Sequence, residues 1–350
     1  MIKNNINFFE YLDNFKKYSH IKSSLIKGSV LNNTPPITLV LPTYNSKPEV
    51  LKDAIDSALN QFGFDNFELL IIDNNPEFNC PTHLLIDGYK DNRILYYKNH
   101  QNIGMFGNWN RGIELARSNW VALLHDDDVM SPYFLKSCIP FLKENLVGII
   151  KAENIKFSNS KELNFLKPDK IKLERLFLID FIWGCEIGAP TNIIYNKRML
   201  LETGGFNEGF FPAADYALAV KCVKKYKVYK IPTVLGGYRV GENESLSSKT
   251  MRLFHINRFY ITSFIMKKYR FPDFVVSFIQ SALLPKLVHN TNKFYNTNIS
   301  FDYCKELDLT QKGELIQSFV NMFHILFRYM LSIRRKLYGM LNVRMTKEKL

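Results

Sequence analysis

Three consecutive aspartates, Asp126, Asp127 and Asp128, directly follow the apolar run 120–124. Neighbouring like charges repel one another, and the end of a strand supplies no automatic partner for them. A hard divalent cation, Mg²⁺ or Mn²⁺, would offset this charge and would also bind phosphate oxygens. The alternative is an acidic turn that caps a following helix, which Ser131 and Pro132 are suited to begin. The cluster by itself leaves both interpretations open.

The chain around this cluster alternates short apolar runs with segments of helical periodicity. The apolar runs predict four strands, at 37–41, 68–72, 93–97 and 120–124, and the periodic segments predict helices at 48–61 and 107–117. Strands that are apolar throughout and alternate with helices indicate an α/β fold, with a mostly parallel sheet covered on both faces.

Polar clusters follow three of these predicted strands. They are residues 43–45, residues 73–75 and residues 125–128. In parallel sheets, ligands bind beyond the carboxyl ends of the strands. We therefore expect these clusters to meet in one ligand site.

Four blocks in this region, in this order, resemble glycosyltransferase family 2. Residues 37–61 (ITLVLPTYNSKPEVLKDAIDSALNQ) are similar to the family's opening strand, its P-x-Y-N motif, a helix and a final glutamine. Residues 102–116 and 120–132 (WVALLHDDDVMSP) are similar to its middle blocks, and residues 203–216 to its G-G-F-[DN]-E…E-D block. The match extends over about residues 36–240. It implies the GT-A fold, a nucleotide-binding sheet flanked by helices, here followed by a C-terminal helical region.

The resemblance implies roles for individual residues. Asp127 aligns with the family's metal ligand, which would hold Mn²⁺ or Mg²⁺. Asp215 aligns with the catalytic base, although an acid at a helix N-terminus is the alternative. Asp73 would accept a hydrogen bond from the base, which favours uracil; a helix cap or turn is its alternative. The residues assigned to nucleotide binding are Pro42, Tyr44, Asn45, Asp73, Asn102, Gly104, Asn110 and Asp126.

The sequence departs from the family pattern at several places. His125 stands where many members have the first carboxylate of an Asp-x-Asp motif, and Ala214 replaces the Glu that usually precedes the base. Gly241 occupies a place often held by His. Arg239 and Glu208 are candidate contacts for the diphosphate or the acceptor, and a structural ion pair is the alternative for Arg239.

Composition and charge restrict the class of protein. The net charge of +13 suits nucleic acid, anionic membrane or phosphorylated substrates alike; with the resemblance, we expect a nucleotide-sugar donor and no nucleic acid. Five scattered cysteines without a CxxC pair indicate neither a disulfide framework nor a zinc site, and fit a reducing cytosol. No G-x-G-x-x-G follows a predicted strand, which excludes a Rossmann dehydrogenase.

Two flanking regions differ from the central one. Residues 1–34 are predicted to form an amphipathic helical extension that includes Phe8, Tyr11, Leu12 and Phe15; the glycosyltransferase domain is predicted over 35–250 and a basic helical region over 251–350. Residues 311–350 hold eight Lys or Arg against two Glu, beside apolar residues at helical spacing. This pattern suits peripheral contact with an anionic membrane, or equally a helix packed on the catalytic domain. No apolar run is long enough to span a bilayer.

The most specific function that these features support is an inverting, metal-dependent glycosyltransferase acting in surface-polysaccharide synthesis. It would use a UDP-sugar and a glycan or lipid-linked saccharide acceptor, in the cytoplasm or at the inner face of the membrane. A nucleotidyltransferase and a non-catalytic nucleotide- or glycan-binding relative are the alternatives. Loss of acidic residues at 125 and 214 keeps the non-catalytic one open.

Overall fold

The structure is a computed structural model, and it describes residues 10–30, 32–143, 146–240, 247–295, 298–299, 306–307, 309 and 314–347. Its centre is a mixed sheet with strand order β1-β4-β3-β2-β5-β9-β7-β10-β6, to which β8 adds beside β10. The strands within the described residues are β1 (Ser23–Lys27), β2 (Thr38–Thr43), β3 (Glu68–Asp73), β4 (Ile94–Asn99), β5 (Trp120–Leu123), β6 (Val129–Met130), β7 (Val147–Phe157), β8 (Glu174–Leu176), β9 (Ile193–Asn196) and β10 (Lys227–Arg239).

Four neighbouring strands, β4, β3, β2 and β5, run parallel. Every residue of β2 and β3 is buried, because helices cover both faces of this part of the sheet. The predicted α/β fold and its four strands are confirmed here. The other half is mixed: β9 pairs antiparallel with β5 and β7, while β7 and β10 are parallel.

Nine described helices surround the sheet. They are α1 (Pro48–Leu59), α2 (Pro81–Asp87), α3 (Gly104–Leu115), α4 (Phe134–Cys138), α5 (Lys197–Thr203), α6 (Ala214–Cys222), α7 (Ser248–Lys268), α8 (Asp273–Tyr295) and α9 (Glu314–Lys347). Helix α1 packs its apolar side into one core cluster and α3 into the other, so the two lie on opposite faces of the sheet. Gly112 lets α3 approach β2 closely, since a Cβ there would lie 2.5 Å from Cγ1 of Val40.

The helical extension predicted over residues 1–34 is wrong for the part of it that the structure describes. Phe8 lies outside the described residues. The chain instead forms a short 3-10 turn, Lys16–Tyr18, and then β1, which pairs antiparallel with the edge strand β4. The guanidinium of Arg111 donates to the carbonyl oxygens of Tyr18 and Ile21 at 2.8 and 2.7 Å. In a helix these two carbonyl oxygens would instead accept hydrogen bonds from backbone N–H groups of the same helix.

The predicted C-terminal helices are present as α7, α8 and α9. Helix α7 packs on a 3-10 helix, Leu178–Trp183, and α9 lies against α8 and β8. Arg334 and Arg335 of α9 both bind the buried carboxylate of Asp180, at 2.5 and 3.0 Å. Helix α9 is therefore docked on the rest of the protein through α8, β8 and Asp180. Among the residues described, no helix combines the length and apolarity needed to cross a membrane.

Candidate active site

The aspartate cluster forms the turn between β5 and β6, at the carboxyl end of the parallel strands. Ligand atoms of His125, Asp127 and Asp128 all lie within 4.8 Å of one another. Asp128 is fully buried, and neither its Oδ2 nor Nε2 of His125 has a hydrogen-bond partner in the described part of the chain. Two carboxylates and an imidazole with unused ligand atoms fit a divalent cation. His125 stands where many family members have a carboxylate, and its ring nitrogen is a candidate ligand atom in place of that carboxylate.

Burial dominates the electrostatics of this turn. It lowers the pKa of His125 to about 3, so the ring is neutral and its nitrogen lone pair can bind a metal. It raises the pKa of Asp126 to about 7, and the neighbouring charge of Asp127 adds to the effect. Burial raises the pKa values of Asp127 and Asp128 as well, and for Asp128 the neighbouring charge of Asp127 adds to the effect. A bound cation would relieve the cost of ionising these carboxyls.

Residues after β2 and β3 line the neighbouring edge, as the sequence predicts. Pro42 is buried within β2, whereas the Tyr44 ring is half exposed beyond its end. Asn45 adopts a φ of 54° and accepts a hydrogen bond from Asn75 at 2.8 Å. Thus the ends of β2 and β3 are linked directly.

Asn102 and Gly104 lie beside this edge, at the start of α3. The side-chain oxygen of Asn102 accepts hydrogen bonds from Asn74 and from the backbone of Gly104, both at 2.8 Å. Both residues are exposed. Their position is compatible with the nucleotide contact predicted for them, which stays a prediction.

Asp73 occupies a different setting from the one predicted. It is fully buried, and its Oδ2 accepts from Lys98 at 2.7 Å and from Tyr96 at 2.8 Å, while Oδ1 accepts from the backbone of Asn75. The structure places Asp73 as a buried ion-pair partner with no surface that a base could reach. Its predicted contact with uracil is not supported by this arrangement.

Asn110 and Glu208 also serve internal contacts. The side chain of Asn110 is buried and exchanges two hydrogen bonds with the backbone of Phe206, at 2.8 and 2.9 Å. Asn110 therefore links α3 to the segment before α6 and does not face a nucleotide. Glu208 accepts from Tyr18 at 2.9 Å and pairs with Lys17. It thereby attaches the N-terminal segment rather than presenting a free carboxylate to an acceptor.

Asp215 lies in the first turn of α6. Burial raises its pKa to about 6, against backbone N–H groups at the helix start and a contact from the Cys185 thiol, whose Sγ lies 3.9 Å from Oδ2. Such a carboxyl is ionised at neutral pH and has increased proton affinity, which suits a general base. The helix N-terminal setting named as the alternative is present too, and it favours the ionised form.

Arg239 connects β10 to the aspartate turn. Its backbone N–H donates to Asp128 and its Nε to the carbonyl of Asp127, both at 2.8 Å. Its guanidinium also forms an ion pair with Asp53 at 2.8 Å. The structural ion pair considered from the sequence is therefore observed, and it fixes the orientation of the aspartate turn. A diphosphate contact from Arg239 stays a prediction.

Lys151 lies outside the motifs that the sequence contains, yet it is close to the candidate site. It lies in the middle of β7, is only 5% exposed, and its ammonium donates to the carbonyl of Thr191. Its charge lowers the pKa values of both Asp128 and Asp215, so it lies near the aspartate turn and near the candidate base. A lysine directly after the apolar run 147–150 was the signal available in the sequence.

The comparisons with known proteins decide the family. The model of glycosyl transferase family 2 matches residues 38–203. A glycosyltransferase of Haemophilus influenzae without assigned specificity is 30% identical over 56% of this chain and 74% of its own length. The chain belongs to glycosyl transferase family 2. It is thus a glycosyltransferase, which favours catalysis over the non-catalytic and nucleotidyltransferase alternatives.

Two further relatives have named functions. A glucosyltransferase of Campylobacter jejuni that acts on GalNAc(5)-diNAcBac-PP-undecaprenol is 26% identical over 61% of this chain and 67% of its own length. The succinoglycan biosynthesis protein ExoO of Rhizobium meliloti is 32% identical over 65% of this chain and 66% of its own length. Both work in glycan assembly.

Two solved structures support the GT-A fold. A mannosyltransferase of Pyrobaculum calidifontis, in complex with GDP-Man and Mn²⁺, has a TM-score of 0.50 at 14% identity and covers 87% of this chain and 88% of its own. TarS of S. aureus, residues 1–349 with UDP-GlcNAc, has the same TM-score at 16% identity and covers 66% and 71%. At this identity the likeness establishes the family fold alone. Asp215 and Arg239 lie beyond the span of the family match.

Proposed function

We propose that this glycosyltransferase moves a sugar from a nucleotide donor, a UDP-sugar, to a hydroxyl of a saccharide acceptor with inversion at the anomeric carbon. Two features carry the proposal: a cluster in the β5–β6 turn that could hold a cation, and the buried carboxyl of Asp215 in the first turn of α6. Solved relatives hold UDP-GlcNAc in one case and GDP-Man with Mn²⁺ in another, which supports a nucleotide-sugar donor.

The cation would be held by Asp127, with His125 and Asp128 as further ligands. Bound there, Mn²⁺ or Mg²⁺ supplies positive charge to the departing diphosphate. The chain itself contributes a neutral imidazole and a turn fixed by Arg239 through two 2.8 Å hydrogen bonds. Because this turn is fixed before the donor arrives, little reorganisation is needed during the reaction.

Asp215 would act on the acceptor. Its carboxylate takes the hydroxyl proton while the acceptor oxygen forms a bond to the anomeric carbon and the bond to the diphosphate oxygen breaks. One such displacement inverts the anomeric centre and leaves no covalent intermediate. A positioned base contributes about 10²–10⁴-fold to a rate.

The test is release of UDP from a panel of UDP-sugars, with GDP-mannose as the comparison, measured with Mn²⁺ and with a chelator. We expect one UDP-sugar to be turned over, and only with the metal. Asp127→Ala should weaken Mn²⁺-dependent UDP binding in calorimetry, whereas Asp215→Asn should keep that binding and lose transfer. The exposed Asp169→Asn is the matched control. Unchanged UDP binding by Asp127→Ala would refute the metal assignment, and unchanged turnover by Asp215→Asn the base assignment.

We further propose that the acceptor is a glycan or lipid-linked saccharide of surface-polysaccharide synthesis. The lipid-linked substrate in the name of the Campylobacter jejuni relative and the polysaccharide in that of ExoO support this class. Release of UDP measured without an acceptor tests donor binding and cleavage by themselves, independently of which acceptor the enzyme uses.

Helix α9 supports a peripheral site at an anionic membrane. Its inner side packs on the molecule through buried Val320 and Leu331, while nine large apolar side chains face outward. These exposed residues are Ile316, Phe319, Met322, Phe323, Ile325, Leu326, Tyr329, Met330 and Ile333. The sequence leaves two alternatives open, a helix packed on the catalytic domain and a helix that contacts a membrane. Both can hold at once, since one side of α9 is docked and the other is exposed.

Charge favours a lipid surface as the occupant of this apolar face. Residues 311–350 hold six Lys or Arg besides the ion-paired Arg334 and Arg335, against two Glu. Apolar bulk beside excess basic residues is the pattern that binds anionic bilayers. Phe319→Ser with Phe323→Ser should abolish co-sedimentation with anionic vesicles, while Phe78→Ser, an equally exposed phenylalanine elsewhere, should not. Undiminished binding of the double variant, or a change in oligomeric state instead, would refute the membrane proposal.

A further inference from the structure

A cavity of about 310 Å³ lies beside the candidate base, and neither donor nor metal binding accounts for it. It is bounded by β7, by β10 and by residues 185–189. Cys185 lines the cavity, and its Sγ also contacts Asp215. A molecule that contacts Cys185 in this cavity would therefore lie one side chain away from the carboxyl that takes the acceptor proton.

Lys151 lines the same cavity and has an unusual setting for an ammonium group. It is 5% exposed, its Nζ donates to the carbonyl of Thr191, and no carboxylate of the described residues forms an ion pair with it. An ammonium has three donors, so two remain for a further partner. Burying a cation without an ionic partner is costly, and such groups are normally paired.

The acidic side chains of the cavity are already neutralised by other partners. Glu153 pairs with Lys230 at 2.7 Å, and Glu186 pairs with Arg335 of α9 at 3.0 Å. Neither pair includes Lys151, whose ammonium therefore has no ion-pair partner among the described residues of the cavity lining. The cavity is thus suited to an anion.

We propose that this cavity binds the acceptor saccharide through an anionic substituent, a carboxylate or a phosphate, which pairs with Lys151. This inference rests on the proposed function, because it assigns the acceptor side of the same site. The ion pair between Glu186 and Arg335 also joins the cavity wall to α9, so a lipid-linked acceptor would approach it from the docked helix. A carboxylate on a sugar and a phosphate near a lipid anchor present the same chemistry to Lys151.

The matched probes are methyl glucuronoside and methyl glucoside, which differ in one carboxylate, and inorganic phosphate as a competitor. Their binding to the full chain is measured by saturation-transfer NMR in the presence of UDP and Mn²⁺. We expect the acidic glycoside to bind at least about tenfold more tightly than the neutral one, the size of one charge-assisted hydrogen bond. Phosphate should compete with it.

Lys151→Met should remove this preference and keep Mn²⁺-dependent UDP binding, while the exposed Lys161→Met should keep both. Retained UDP binding shows that the variant is folded and that donor binding is intact, so failure here is distinct from failure of the proposed function. Loss of UDP binding on Lys151→Met would assign the lysine to the donor diphosphate and overturn the proposal. Equal or undetectable binding of the two glycosides, or an unchanged preference in Lys151→Met, would overturn it as well.

Discussion

The ionised carboxylate of Asp215 should destabilise the folded protein, because it is buried. Burial raises its pKa from 3.8 to about 6. A shift of this size corresponds to about 3 kcal/mol of free energy spent on ionising the buried carboxyl, at about 1.4 kcal/mol per pKa unit. Asp215→Asn removes the charge at nearly constant volume. We therefore expect the variant to be more stable than the parent by up to about 3 kcal/mol at pH 8.

The sign of the effect gives it a definite pH window. The folded-state pKa is raised, so the folded protein holds this proton more tightly than the unfolded chain. Below about pH 4 the carboxyl is neutral in both states and costs nothing. The cost grows as pH rises through the folded-state pKa of about 6 and is complete above it. The stability gain of Asp215→Asn should follow the same curve.

The assay is calorimetric unfolding of metal-free parent and variant between about pH 3.5 and 8, which spans the window set by the two pKa values of 3.8 and about 6. Asp169→Asn removes an exposed carboxylate and serves as the control for net charge. If the gain in the free energy of unfolding is absent at pH 8, or has the same size at every pH, then burial does not determine the pKa of Asp215. Transfer activity should fall by about 10²–10⁴-fold in the same variant, so stability and catalysis would move in opposite directions.

Two further predictions concern the parts that position the site. Lys98→Met should cost about 3–5 kcal/mol in the free energy of unfolding, because it leaves Asp73 as an unpaired buried charge. Urea denaturation checks it, and a loss below that of the exposed Lys161→Met would contradict the ion-pair role. Gly112→Ala should cost about 1–3 kcal/mol, because its Cβ would meet Val40 at 2.5 Å and push α3 from β2. A neutral effect in the same assay would show that the helix adjusts freely.

The parallel half of the sheet was predictable because its signals are local. Strands β2 and β3 are apolar throughout, and their ends carry the polar residues that line the edge. Strand β1 was not predictable in this way. It exists because β4 offers an unpaired edge and Arg111 binds two carbonyls of the preceding segment, and these partners are at least 69 residues away in sequence. Apolar spacing alone therefore suggested a helix.

The same distinction applies to two residues for which the family pattern predicts nucleotide contacts. Asp73 and Asn110 match the family pattern, yet each is fully occupied by a partner that the motif does not contain, Lys98 for one and the backbone of Phe206 for the other. A motif records which residue types recur, whereas exposure depends on what the fold brings against them. For these two residues the match reports a structural requirement of the fold.

Burial gives the site a consistent electrostatic design. The turn after β5 and the start of α6 place carboxyls where ionisation is costly. Two positive groups of the described residues act on them: Lys151, and Arg239, which also binds Asp53 and the turn backbone. A cation at the turn would offset the first group of carboxyls. Once it is bound, Lys151 has less negative charge to balance and faces a cavity whose glutamates are already paired. Metal binding would then strengthen the attraction of that cavity for an anion, which couples occupation of the donor side to recognition on the acceptor side.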